Sequence, residues 1–162
     1  MRSAKILGEI ELPKIDYLPR LQAVATHLEK EKTCVEVFKP CSLVWETLVS
    51  LYEYAPIYNI YVCMWLGPHR DEVVGDITLG IILSGDHYLF TGNGRRVGDL
   101  VPGTVYALLN KKLHGAYPKD RNNPKPLIFA ACEPRVSAEN WETFCADMEA
   151  KIQSGAYLYT LE

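Results

Sequence analysis

The chain has 162 residues, 48% of them apolar and 23% charged, with a formal net charge of −3. These values fit one folded globular domain and exclude a disordered chain. The mild acidity weighs against backbone-driven binding to duplex nucleic acid, although Arg95, Arg96, Lys111, Lys112, Lys119, Arg121 and Lys125 lie close in sequence and leave room for a local groove.

In chain order, "AKILGEIEL" at 4–12 reads as a first strand. "YLPRLQAVATHLEKE" at 17–31 reads as a helix, with Leu18, Leu21, Val24 and Leu28 as its apolar stripe. His27 has no ligand-type partner at useful spacing and reads as structural. "TCVEVFK" at 33–39 alternates like a short strand, and 42–56 reads as a helix capped by Ser42 and ended by Pro56.

The character then changes to β-branched and aromatic runs. Strands are expected at 57–66, 76–85, 87–92, 104–110 and 125–133. Turn signals separate them: Gly67 with Pro68, Ser84 to Asp86, Gly92 to Gly94, and Pro102 with Gly103. A last helix is expected over 137–152, with Ser137 as its cap and Trp141, Phe144, Cys145 and Met148 as its stripe. Short strands and Gly/Pro turns predict a mainly β fold of the sandwich or jelly-roll type, with helices on one outer face. A ferredoxin-like α+β domain is the competing architecture. It needs strands alternating with helices, and 57–133 has little room for a helix. One domain over 1–162 is expected, with 57–133 as its β core and 17–31, 42–55 and 137–152 as flanking helices.

Cys34, Cys41, Cys63, Cys132 and Cys145 form no CxxC pair, so a thiolate zinc site and a disulfide framework are not expected. No apolar run near the start has the form of a signal peptide, and no stretch has the length of a membrane span. A cytoplasmic protein without a membrane partner is expected. Walker, GxSxG and dinucleotide-binding motifs are lacking.

The chemistry concentrates in "GPHRD" and "LHGAY". In extended backbone, residues i and i+2 share a side, so His69 and Asp71 can turn an imidazole and a carboxylate toward one ion. His114 follows another strand and can complete the set. Two histidines and one carboxylate suit non-haem Fe(II), and the same donors also hold catalytic zinc. Alone, HxD is a permissive pattern, and isolated histidines often serve turns.

From about Tyr58 to Ala131 the sequence resembles the double-stranded β-helix core of the 2-oxoglutarate and Fe(II)-dependent dioxygenases. "YNIYVCMWLGPHRD" is similar to their strand leading into HxD. "DITLGIILSGDHYLF" is similar to the next two core strands, and "GDLVPGTVYALLNKKLHGAYP" to their turn, strand and distal histidine. The resemblance implies a cupin-like jelly roll with His69, Asp71 and His114 as Fe(II) ligands and 2-oxoglutarate as cosubstrate. It also implies a basic anchor for the far carboxylate. The usual Arg is missing from "YPKDRNNPKPLIFAACEP", and Lys125, then Arg121, stand nearest. Lys pairs with a carboxylate as a point charge, without the planar fork of Arg. Tyr58 and Tyr61 are the candidate donors, with Asn59 set apart as opposite-facing.

The implied reaction decarboxylates 2-oxoglutarate with O2 to succinate and CO2 and hydroxylates or demethylates a second substrate. That substrate is unidentified: a protein side chain, a small molecule or a modified nucleobase. A cupin-like metal- or ligand-binding protein without oxygenase activity is the alternative, and a structural or interaction protein is the third. His87 reads as a turn residue. The oligomeric state is not legible.

Overall fold

A computed structural model describes residues 2–12, 14–27, 35–37, 58–72, 75–92 and 94–155. The helix expected at 42–56 lies outside the described residues, as do Cys34 and Cys41.

The described strands are β1 (Ala4–Glu9), β2 (Val35–Val37), β3 (Tyr58–Cys63), β4 (Leu66–His69), β5 (Ile77–Ser84), β6 (His87–Thr91), β7 (Arg95–Leu100), β8 (Thr104–Leu109), β9 (His114–Pro118) and β10 (Leu127–Cys132). Helix α1 spans Leu18–His27, and α2 spans Trp141–Ser154 after a short 3-10 turn, Ala138–Asn140. The strands form two antiparallel sheets. The larger has the order β1-β8-β5-β10-β3-β2, and the smaller has β4-β9-β6-β7. From β3 to β10 the chain passes repeatedly between the sheets, and that winding is a double-stranded β-helix, the jelly roll expected from the strand spacing.

Alternation along the strands explains the layers. In β8, Val105, Ala107 and Leu109 join one core cluster, while Tyr106 and Leu108 join another. The first cluster packs the outer face of the large sheet against α1 and α2, through Leu21, Ala25, Trp141, Phe144 and Met148. The second lies between the sheets, joining Ile82 and Leu127 to Leu89, Leu100 and Ala116. All six residues of β8 are buried because both faces are covered. The helices cover one outer face, as expected.

Several boundaries differ from the expected ones. The run 57–66 is two strands, because after Cys63 the chain leaves the large sheet and enters the small one. Gly67 and Pro68 are not the turn that ends a strand: they lie within β4. Pro68 is tolerated because β4 is an edge strand and its ladder to β9 shifts register between Leu66 and His69. In α1, Val24 is 41% exposed, and the buried stripe runs through Leu21 and Ala25. A step of three residues from Leu21 falls short of a full turn, whereas a step of four returns to the same face. Ser137 makes no side-chain cap bond; its hydroxyl donates to Glu139 at 3.3 Å. Helix α2 ends at Gly155, whose left-handed φ of 69° lets its N–H reach the Ile152 and Lys151 carbonyls.

Candidate metal centre

His69 ends β4 and His114 begins β9, and the two are direct partners across that antiparallel pair. Their rings meet edge to face with centroids 4.5 Å apart. Asp71 follows β4 by two residues, and its N–H donates to the Asn110 carbonyl at 2.8 Å. One carboxylate oxygen of Asp71 lies 3.1 Å from His114 Nε2 and the other 3.6 Å from His69 Nε2. One donor atom from each of the three residues falls within 4.8 Å of the others. Among the described residues this is the only such cluster of three or more His, Cys, Asp or Glu side chains.

The outer contacts orient the donors. His69 Nδ1 donates to the Gly67 carbonyl at 2.7 Å, and His114 Nδ1 donates to the Lys112 carbonyl at 2.9 Å. A carbonyl only accepts, so Nδ1 carries a proton in each ring and Nε2 is the nitrogen turned toward Asp71, the atom that would give up its own proton to a metal ion. Burial alone would raise the Asp71 carboxyl. The hydrogen bond from His114 and the charges on His114 and His69 outweigh burial and hold it below the usual carboxylate value. Asp71 is therefore a carboxylate at neutral pH. This set of two imidazoles and one carboxylate fits a divalent first-row ion.

Asn110 supports the cluster, and sequence reading did not single it out. It is fully buried. Its Oδ1 accepts the Thr78 hydroxyl at 2.6 Å, and its Nδ2 donates to the Gly75 carbonyl at 2.7 Å. Its backbone carbonyl holds the Asp71 N–H. The available signal was one amide ending the apolar run "TVYALLN".

A cavity of about 830 Å³ opens between the sheets beside the cluster, and all three residues line it. Tyr61 lines it as well. Asn59 shares that lining, although it was expected to face away; two residues apart in β3, the two point to one side. The side chain of Tyr58 lies outside the described residues, as does that of His27. Lys125 and Arg121 are exposed in the loop before β10, and neither is among the described lining residues. Arg121 instead lies over the Tyr117 ring, 5.5 Å from its centroid.

His87 is fully buried and away from the lining. Its Nε2 donates to the Met64 carbonyl at 2.8 Å, and its Nδ1 accepts the Asp86 N–H at 3.2 Å. Burial lowers its pKa against the opposing effects of Met64 and Asp86. Cys63, Cys132 and Cys145 are buried, and burial pushes the Cys132 and Cys145 thiols up to about 12. Those two stay as thiols, poor metal ligands and poor nucleophiles.

No protein-family model and no curated protein matches the sequence. Solved structures with similarity to the chain include a cupin superfamily protein from Desulfitobacterium hafniense DCB-2, at 18% identity over 77% of this chain and 97% of that one, TM-score 0.38. An RmlC-like cupin family protein with a double-stranded β-helix fold, from Methanocaldococcus jannaschii, shows 15% identity over 48% of this chain and 68% of that one, TM-score 0.37. EvdMO1 shows 10% identity over 83% of this chain and 48% of that one, TM-score 0.49. Among the described residues, no helix is long and apolar enough to cross a membrane.

Proposed function

We propose that this protein is a mononuclear non-haem Fe(II) oxygenase whose substrate enters the cavity between the sheets. One observation carries the reading: two inward-turned imidazoles and an ionised carboxylate converge on one point at the wall of that cavity. Three protein donors leave coordination positions open, and Fe(II) held there supplies the reaction of O2 with a C–H bond. The chain's own residues hold the ion, keep Asp71 ionised and line the chamber with apolar surface that excludes water. The buried free thiols of Cys132 and Cys145 support placing the protein in a reducing compartment such as the cytoplasm.

With 2-oxoglutarate as cosubstrate, the balanced reaction converts 2-oxoglutarate, O2 and R–H to succinate, CO2 and R–OH. Its far carboxylate needs a partner. Tyr61 lines the cavity, but no Lys or Arg does among the described residues. That observation favours a second reading, a metal-binding cupin-like protein that does not use 2-oxoglutarate.

Anaerobic titration with Fe(II), then 2-oxoglutarate, separates the two. A visible charge-transfer band that is lost in Asp71→Ala supports the dioxygenase. Fe(II) binding without the band supports the second reading. Absence of Fe(II) binding by the wild-type protein overturns both.

A further inference from the structure

The inner surface of the large sheet is graded. At the metal-centre end it is polar: Thr78 bonds Asn110, and Asn59 faces the cavity. Two residues along β5 from Thr78, Gly80 pairs with Tyr106 of β8. A Cβ on Gly80 would lie 2.2 Å from the Tyr106 ring, so the missing side chain is what lets that ring lie across the strand. In the neighbouring ladder Tyr61 opposes Phe129, and their rings stack with centroids 5.1 Å apart and planes 16° apart. Tyr106 meets Phe129 edge-on at 6.4 Å. Beyond this aromatic layer the lining is aliphatic, with Ile82 and Leu127 facing Leu89 and Leu100 across the space.

Charge is distributed as sharply. Apart from the three candidate ligands, the only ionisable carboxylate or cation among the described lining residues is Glu133, an acid. An anion entering this space loses its water, and the described lining residues offer it no cation beyond the candidate metal centre. A flat uncharged ring meets aromatic edges and faces. The volume of about 830 Å³ lies within the range of sites that enclose a small molecule.

We infer that the cavity selects an uncharged small molecule bearing an aromatic ring, which inserts against the Tyr61, Phe129 and Tyr106 layer and projects toward the candidate metal centre. The inference rests on the reading of this cavity as the substrate chamber. It specifies the ligand's chemistry, which that reading leaves open.

Calorimetric titration of the metal-free protein with indole, benzoate, glutarate and cyclohexanol tests it. Indole is expected to bind saturably, and the other three at least tenfold more weakly. Asp71→Ala should keep indole binding while losing Fe(II), so a failed metal centre and a failed ligand inference are told apart. Ala131→Trp, which fills the cavity, should weaken indole at least tenfold. Phe129→Leu, a milder change, should weaken it severalfold with the circular dichroism spectrum unchanged. No indole binding, benzoate or glutarate binding as tight as indole, or indifference of indole to both cavity variants would overturn the inference. Cyclohexanol binding equal to indole would overturn the aromatic part.

Discussion

Asn110 does three jobs with one side chain and one carbonyl: it ties Thr78, holds the Gly75 carbonyl and positions the Asp71 backbone. Removing the amide breaks its hydrogen bonds to the half-buried Thr78 hydroxyl and the exposed Gly75 carbonyl, which together cost about 1–3 kcal/mol. Asn110→Ala should therefore lower stability by about that amount in urea unfolding and weaken Fe(II) binding by about tenfold, the low end for an outer support of a metal ligand. His87 makes a separate prediction. Its folded pKa lies below the ordinary 6.5, so the unfolded chain binds this proton first. Its contribution is full above about pH 6.5 and is lost as pH falls from there toward the folded value, levelling below it. His87→Gln should remove that part of the acid-side slope in a series of urea midpoints. HxD and the distal histidine were legible as ligand types, because their chemistry is carried by residue identity. Asn110 was not, because its importance lies in which groups the fold brings to its amide.

Strand pairing carries the donors to one place. His69 and His114 stand forty-five positions apart in the chain and become direct partners only because β4 and β9 pair. Gly115 is the narrow point of that pairing. A Cβ there would lie 2.5 Å from the Leu66 carbonyl oxygen and 2.4 Å from the Phe90 ring. The first contact is backbone, so relief requires the two strands to move apart. Gly115→Ala is expected to destabilise by about 1–3 kcal/mol and to loosen Fe(II) binding as well, read by urea unfolding and metal titration of the same protein. The apolar strands β3, β5, β8 and β10 were readable as runs. Strands β7 and β9 were not expected. "RRVGDL" is a sheet edge with half its side chains in water, and "HGAYP" is short and carries Gly and Pro. Their pairing is set by neighbours, not by local preference.

Across the whole molecule, two faces of one sheet divide the work. Helices seal the outer face into a dry core, and the inner face lines the cavity. Stability and site chemistry should separate accordingly. Trp141 is fully buried in the helix-side core. Trp141→Ala is expected to cost about 3–5 kcal/mol in unfolding free energy, with Fe(II) affinity in the folded protein nearly unchanged. Metal acts the other way. Saturation at a hundredfold excess over Kd should stabilise the wild-type protein by about 2.7 kcal/mol, and Asp71→Ala should lose that gain. Thermal melts with and without Fe(II), under argon, compare the two variants.

By itself the sequence determined the mainly β class, the apolar face of helix α2 and the identities of His69, Asp71 and His114, since periodicity and donor chemistry are local properties. Only the tertiary structure decided that Asn59 joins Tyr61 on the cavity wall, that Lys125 and Arg121 lie outside the lining, and that an aromatic layer stands beside the candidate metal centre. Those facts depend on strand parity and on pairing between distant segments, where a shift of one residue exchanges every inward side chain for an outward one.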